Sequence, residues 1–416
     1  MGYPRMLRVR QRAVAPALPD VAAAVHDELA RIGVRRLVRA GQQVAVTAGS
    51  RGIANLPTVL RTLIAELRDA GAAPFLVPAM GSHGGATAEG QRQMLEGLGI
   101  TEDAVGAPIR SGMETVVLGN TREGVPVHCD RHAAAADAIV LVNRIKPHTT
   151  FSGPVESGLV KMATLGLGKQ VGASTYHRAI VEHSFERVVP AAAELVLERG
   201  PVAFGLGIVE NGAEETARVA GLLPGDLVSR EAELLRLARD WMARLPVDDA
   251  DLLVVDEMGK NVSGSGMDTN VIGRKPGTDG PPRIRRVFVR DLTAATRGNG
   301  YGVGFADFTT SRLVRALDYR VTIVNCLAAA HPEAGAIPIH FETDRNAIDV
   351  ALATSGLGPT ERARVVRIRN TLQLAALEVS EALRDALVGG DNLEVDDEAR
   401  ELAFDATGNL LPFRAA

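Results

Sequence analysis

The sequence predicts an α/β protein of two domains, and three observations carry that prediction. The chain has 416 residues, too many for one ordinary core. Apolar runs of strand length alternate with segments whose apolar residues recur at helical spacing. The segment Leu245-Pro246-Val247-Asp248-Asp249-Ala250-Asp251 turns abruptly to proline and acid, which marks a boundary and divides the chain into 1–247 and 248–416. An active-site cleft between the two domains is the expectation that follows.

Val21, Val25, Leu29 and Ile32 recur at helical spacing, Asp20 is placed to cap them, and the basic run 35–39 suits the helix's negative end. Residues 43–47 read as a short strand ending in the turn Ala48-Gly49-Ser50-Arg51, ahead of a helix carrying Leu60, Leu63, Ile64 and Leu67. Free N–H groups at that helix's start would attract an anion, and Arg51 would add a forked cation. The same unit recurs as a 74–78 strand, the loop Gly81-Ser82-His83-Gly84-Gly85, and a helix from Thr87 with Met94 and Leu95 inward. His83 therefore stands at a strand's carboxyl end between residues too small to cover it. His26, His128, His132, His183, His331 and His340 read as structural.

A hairpin is expected about Arg122-Glu123-Gly124, joining 115–117 to 125–127. The apolar, β-branched run 138–142 is a buried strand, and 144–150 leaves it as a loop. A helix over 185–197, a strand over 202–209 and a helix over 226–245 close the first half. The second half offers strands at 252–255, 286–289, 321–325 and 365–368, with glycine-rich loops at 256–270 and 297–307. Loops of that length are usually functional or disordered.

Composition excludes several classes. With 46% hydrophobic and 23% charged residues, the chain reads as soluble and globular, without an apolar span of ~18 residues to cross a bilayer. A formal charge of −4 leaves no electrostatic footprint for nucleic acid, and the scarcity of aromatics argues against base stacking. Cys129 and Cys326 read as small buried apolar residues. The basic N-terminus lacks the apolar core and cleavage site of an export signal, which points to the cytoplasm.

The chemistry concentrates in Asn143-Arg144-Ile145-Lys146-Pro147-His148 and its continuation through Lys161 to His177. This stretch supplies His148, Lys161, Lys169, a glycine-rich turn at Gly166 and Gly168, and His177. Open α/β sheets place ligands at the carboxyl ends of their strands. Two histidines there, His83 and His148, each with an unperturbed pKa of ~6.5, suit proton removal on one face of a carbon centre and delivery on the other. That is the logic of a racemase or epimerase. A metal held by His177 would need donors beyond side chains, because protein zinc sites usually show three or four ligands at recognisable spacing.

Taken together, Arg51 after a small-residue turn, Gly81-Ser82-His83, Lys146-Pro147-His148, and Lys161 followed sixteen positions later by His177 resemble the nickel-dependent lactate racemase family. The resemblance covers most of the first domain and is weaker in the second. It implies a nickel-pincer nucleotide, a pyridinium-3,5-bisthiocarboxylic acid mononucleotide carrying nickel, with His177 as the protein's metal ligand. It also implies His83 and His148 as paired acid/base residues, and Ala48, Gly49, Ser50, Arg51, Lys161 and Leu165 as cofactor contacts. The implied reaction is racemisation or epimerisation of a 2-hydroxy acid by hydride transfer to and from the cofactor.

Two departures qualify what is carried over. The lysine lies in Gly158-Leu159-Val160-Lys161-Met162 rather than in a Gly-Gly-Arg-Lys motif, so a covalent tether at Lys161 and non-covalent binding both stay open. Asp268-Thr269-Asn270 matches a short family motif, but the tyrosine, glutamine and lysine that should follow do not. Arg274 and Lys275 are the nearest cations for a substrate carboxylate, Lys260 has no better claim, and the altered pocket points away from lactate itself. The implied partners are a small hydroxy acid, transiently the cofactor-synthesis proteins, and a second copy of the chain in a homodimer. The residues alone also fit a metal-independent acid/base lyase, or a non-catalytic nucleotide-binding protein whose Arg51, Gly166, Gly168 and Lys169 hold a phosphate.

Overall fold

The computed structural model of the chain describes residues 2–50 and 52–413. Two compact units form, one from 15–148 and 152–242, the other from 1–14, 149–151 and 243–416. Both are α/β.

The first unit is built on a five-stranded sheet in the order Ala73–Pro78, Gln43–Ala48, Ala138–Arg144, Val202–Glu210, Thr216–Leu222. The first four strands are parallel and the last is antiparallel. Alternation within the strands explains the packing. Val44, Val46, Ala48, Val140 and Val142 join one core with Val25 and Leu29 of the Val21–Ile32 helix and Leu60, Leu63 and Ile64 of the Leu56–Asp69 helix. Asp20 caps the former helix by accepting from the Ala23 N–H at 2.9 Å, and Gly33 ends it at φ 71°. The expected hairpin is present, with Thr115–Asn120 antiparallel to Pro126–Asp130. The Leu227–Trp241 helix buries Leu227, Leu234, Leu235 and Ala238, and among them Glu231. The Thr216–Leu222 strand lies outside the sequence expectation, because its Ala and Gly residues dilute the apolar pattern.

The second unit carries a nine-stranded sheet. Five strands, Ile339–Phe341, Phe308–Thr310, Arg283–Leu292, Asp249–Met258 and Val365–Ile368, run parallel in that order. Ala376–Ser380, Arg5–Gln11 and Leu393–Val395 continue it antiparallel, and Arg400–Glu401 also pairs with Arg5–Gln11. The sequence assigns residues 1–247 to one domain, whereas the Arg5–Gln11 strand sits inside this second sheet.

One expected strand is a helix. Residues 321–325 are rich in β-branched side chains, yet they lie in the Tyr319–Ala328 helix, whose first turn is capped by Asp318 accepting from Arg320 and Val321. Val324 is 66% and Leu327 69% exposed, so the apolar run marks no buried strand. The glycine-rich 297–307 segment is packed rather than exposed, with Tyr301 and Val303 buried and a short turn at Val303–Phe305. Among the described residues no helix is long and apolar enough to cross a membrane. Cys129 and Cys326 are buried free thiols.

Candidate active site

Three parallel strands of the first unit end side by side, and their loops meet. The Ala79 N–H donates to the Ala48 carbonyl at 2.8 Å, tying the first two loops together. Gly81 N–H donates to the Gly166 carbonyl at 3.3 Å. A Cβ on Gly49 would come within 3.3 Å of Met162 Cε and 3.6 Å of Asn143 Oδ1. The Ala48–Ser50 turn, the 79–83 loop, Asn143 and the 162–166 segment are therefore neighbours at the carboxyl edge of the sheet. Ala48 is buried and Ser50 half-buried. Arg51 lies outside the described residues.

His83 sits exposed on its loop, and its Nδ1 shares a short hydrogen bond with Ser50 Oγ whose direction follows the imidazole's tautomer. The turn behind it is unusual. Gly84, Gly85 and Ala86 all have positive φ, and a Cβ on Gly84 would stand 2.6 Å from the Gln91 nitrogen. This close approach seats the loop on the start of the Ala88–Gly97 helix, capped by Thr87.

His148 is anchored differently. Its backbone N–H donates to Glu156 Oε2 at 2.5 Å, while Glu156 Oε1 accepts from Arg239 at 2.7 Å and from Gly153 N–H at 3.2 Å. Glu156 is 1% exposed, so a buried, charge-paired carboxylate fixes the loop. Lys146 pairs through its backbone with Ser157, and Asn143 Nδ2 donates to the Gly158 carbonyl at 2.9 Å. The Arg144 guanidinium is paired with Glu210.

The expected glycine-rich turn at Gly166 and Gly168 is helical instead. A short helix, Leu159–Lys161, runs into a π-helical turn, Met162–Gly166, and then into the Lys169–His183 helix. The glycines serve packing: a Cβ on Gly168 would lie 2.6 Å from the Thr164 carbonyl oxygen and 3.1 Å from Gly172 Cα. Single π turns are frequent at functional sites, and this one joins Lys161, half-buried, and Leu165, buried, to the helix bearing His177, half-buried. Beneath it, Glu231 is fully buried and accepts from the Val160 N–H at 2.9 Å. Its other oxygen has no hydrogen-bond partner among the described residues, and burial pushes the carboxyl's pKa up to about 7.

Lys169 does not face an external phosphate. Its ammonium is fully buried, lies 3.1 Å from Asp130 Oδ2, and donates to the Pro78 carbonyl at 2.5 Å and to Gln91 Oε1 at 3.2 Å. Burial pulls its pKa down, and Asp130 pulls it back up. Removing one partner of such a pair costs about 3–5 kcal/mol. The expected anion at the start of the Leu56–Asp69 helix is likewise internal, because Glu210 Oε1 accepts from the Ala54 N–H at 2.7 Å.

The two cations expected for a substrate carboxylate belong to the second unit. Arg274 donates to the Ile284 carbonyl at 2.7 Å and to Asp307 at 3.0 Å, so its guanidinium is already partly engaged within the unit. Lys275 is buried, and Lys260 donates to the Gly264 carbonyl at 2.6 Å over the Tyr301 ring. Asp268 caps its own turn by accepting from the Asn270 N–H.

Sequence reading missed Gln91, Asp130, Glu156 and Glu231 as parts of this site. A polar residue on an otherwise apolar helix face was the available signal for Glu231 and Gln91. Asp130 and Glu156 carry no such mark. Of the histidines read as structural, His26 pairs with Glu66 at 2.7 Å, His331 with Glu333 at 2.8 Å, and His340 with Ser311 at 3.1 Å.

Among the described residues no group of three or more His, Cys, Asp or Glu side chains is placed to hold a metal ion. A metal bound through the His177 imidazole would have to bring most of its other ligands with it.

Residues 5–188 match the family described as lactate racemase N-terminal domain. Among solved structures, the lactate racemase apoprotein from Thermoanaerobacterium thermosaccharolyticum aligns over 87% of this chain and 94% of its own, with a TM-score of 0.50 and 13% identity. That identity speaks for the fold alone. No curated protein matches the sequence significantly.

Proposed function

From the match of residues 5–188 to the lactate racemase N-terminal domain family, we propose that the chain is a racemase or epimerase of a 2-hydroxy acid other than lactate. Family and fold support a racemase-type function. The observation that carries the finer reading is the pair of histidines on strand-end loops of one sheet, His83 oriented by Ser50 and His148 anchored through Glu156.

A nickel-pincer nucleotide fits the residues present. His177 would ligate nickel, Ala48, Gly49, Ser50 and Leu165 would line the cofactor, and Lys161 would either tether it or lie against it. When bound, the group supplies the hydride acceptor and donor that an unactivated C2–H bond requires. The chain's own residues handle the proton. One histidine takes the substrate's hydroxyl proton as the 2-keto acid forms, and the other returns a proton to the oxygen once hydrogen has come back to the opposite face. Roles exchange between enantiomers, so each imidazole must be able both to accept and to donate near neutral pH. Holding the planar keto acid between fixed loops converts an encounter into an oriented reaction.

The test is metal retention. Protein from a host that makes the cofactor should carry near-stoichiometric nickel by elemental mass spectrometry, and His177→Ala should lose most of it. Intact mass under denaturing conditions reads the tether, as an increment on Lys161. Unchanged nickel in His177→Ala would overturn the assignment.

A further inference from the structure

The Lys169 ammonium is enclosed next to the site, and its burial calls for an explanation. It begins the helix that bears His177, with its backbone at φ 55°, a left-handed conformation that is strained for a lysine. Its ammonium pairs with Asp130 of the hairpin and donates to Pro78, the last residue of the strand that leads to His83. It also donates to Gln91 Oε1 at 3.2 Å. Gln91, 0% exposed, turns its own NH2 back onto the 81–83 loop, donating to the Gly81 carbonyl at 2.9 Å and to the His83 carbonyl at 3.3 Å. The amide can do this because it accepts at one end and donates at the other.

The chain Asp130–Lys169–Gln91 thus ends on the backbone of His83 itself. The ion pair fixes which end of the Gln91 amide faces the loop, since an ammonium tolerates only the oxygen. A Cβ on Gly84 would stand 2.6 Å from the Gln91 nitrogen and 2.7 Å from the Gly90 carbonyl oxygen, so the loop backbone packs directly on the helix that carries Gln91.

We propose that Lys169 and Gln91 are positioning residues that hold the His83 imidazole in its proton-transfer orientation, with Lys169 setting the sense of the Gln91 amide. This inference rests on the reading of His83 as an acid/base residue. Lys169→Met would strand the Asp130 carboxylate in the interior and risk unfolding, so the test uses Gln91→Glu. That variant keeps an acceptor for Lys169 and the same shape, but turns an acceptor instead of a donor onto the Gly81 and His83 carbonyls. Gln91→Leu, which removes both functions at similar volume, is the second variant.

Each is prepared with cofactor, assayed on enantiopure lactate, malate and longer 2-hydroxy acids by polarimetry, and labelled with 15N-histidine for NMR of the imidazole signals, with His83→Asn assigning the His83 resonance. Both variants should lower kcat at least tenfold with KM changed less than twofold and nickel content unchanged. The His83 ring signal should shift or broaden, while that of His340 stays fixed. A displaced His83 signal in a protein that racemises nothing would uphold the positioning role and sink the racemase reading instead. Unmoved His83 signals with wild-type kcat in both variants would overturn the positioning role and leave the racemase reading standing. Parallel losses of kcat, KM, nickel and thermal midpoint would overturn it as well, because the network would then only hold the fold.

Discussion

Ser50 and Glu156 give the two candidate histidines different kinds of support. The Ser50 hydroxyl meets the His83 ring at Nδ1 and holds its orientation, whereas Glu156 accepts from the His148 backbone N–H and places the residue through its main chain. His83→Ala and His148→Ala should each lower racemisation by roughly 10²-fold or more, the usual worth of a positioned acid or base, with nickel retained by elemental analysis. Wild-type turnover in either variant would remove that histidine from the mechanism. Ser50→Ala should cost less, because the ring keeps its place on the loop. The placement of both histidines beyond strand ends was legible in the sequence, since each follows an apolar run and stands among small or loop-forming residues. Their supports were not. Ser50 lies 33 positions from His83, and Glu156 looks like any loop acid until Arg239 is brought to it by the fold.

The helical run from Leu159 through the π turn to His183 rests on one buried acid, and its stability should titrate. Glu231 is held protonated by burial to about pH 7, whereas an unfolded glutamate ionises near ~4.3. Between those values the unfolded chain has lost a proton that the folded chain keeps, so stability falls as pH rises through that window and levels off above it. In Glu231→Gln that contribution disappears: the drop in urea midpoint from pH 5 to pH 8 should shrink, and an unchanged drop would show that Glu231 ionises normally. Elements with a clean period were readable from the sequence, as Val21–Ile32 with its Asp20 cap shows. The π turn was not, because Gly166 and Gly168 look like loop residues until they are seen packed against Ala79, Thr164 and Gly172. The Tyr319–Ala328 helix was misread for the opposite reason. Its Val321, Ile323 and Val324 are exposed, where β propensity has little packing to enforce it.

At the scale of the whole molecule, the α/β class and most parallel strands followed from length and alternation, but the sheet partner of the N-terminus did not. Arg5–Gln11 pairs with strands near the other end of the chain, and no local pattern encodes that. Removing residues 1–14 would open the second sheet between Ala376–Ser380 and Leu393–Val395 and expose Leu7 and Val9, both 1% exposed or less. The truncated chain should lose at least about 3 kcal/mol, the order expected for two buried aliphatic side chains, seen as early proteolysis within 243–416; wild-type resistance would contradict it. The route of the C2 hydrogen separates hydride transfer from direct proton abstraction. Nickel-loaded protein is given an enantiopure 2-hydroxy acid deuterated at C2 in ordinary water, and the product enantiomer is analysed for label. Hydride leaving and returning to the same carbon predicts racemised product that keeps its deuterium, whereas product carrying solvent hydrogen at C2 would mean direct proton abstraction by the histidines and would rule hydride transfer out.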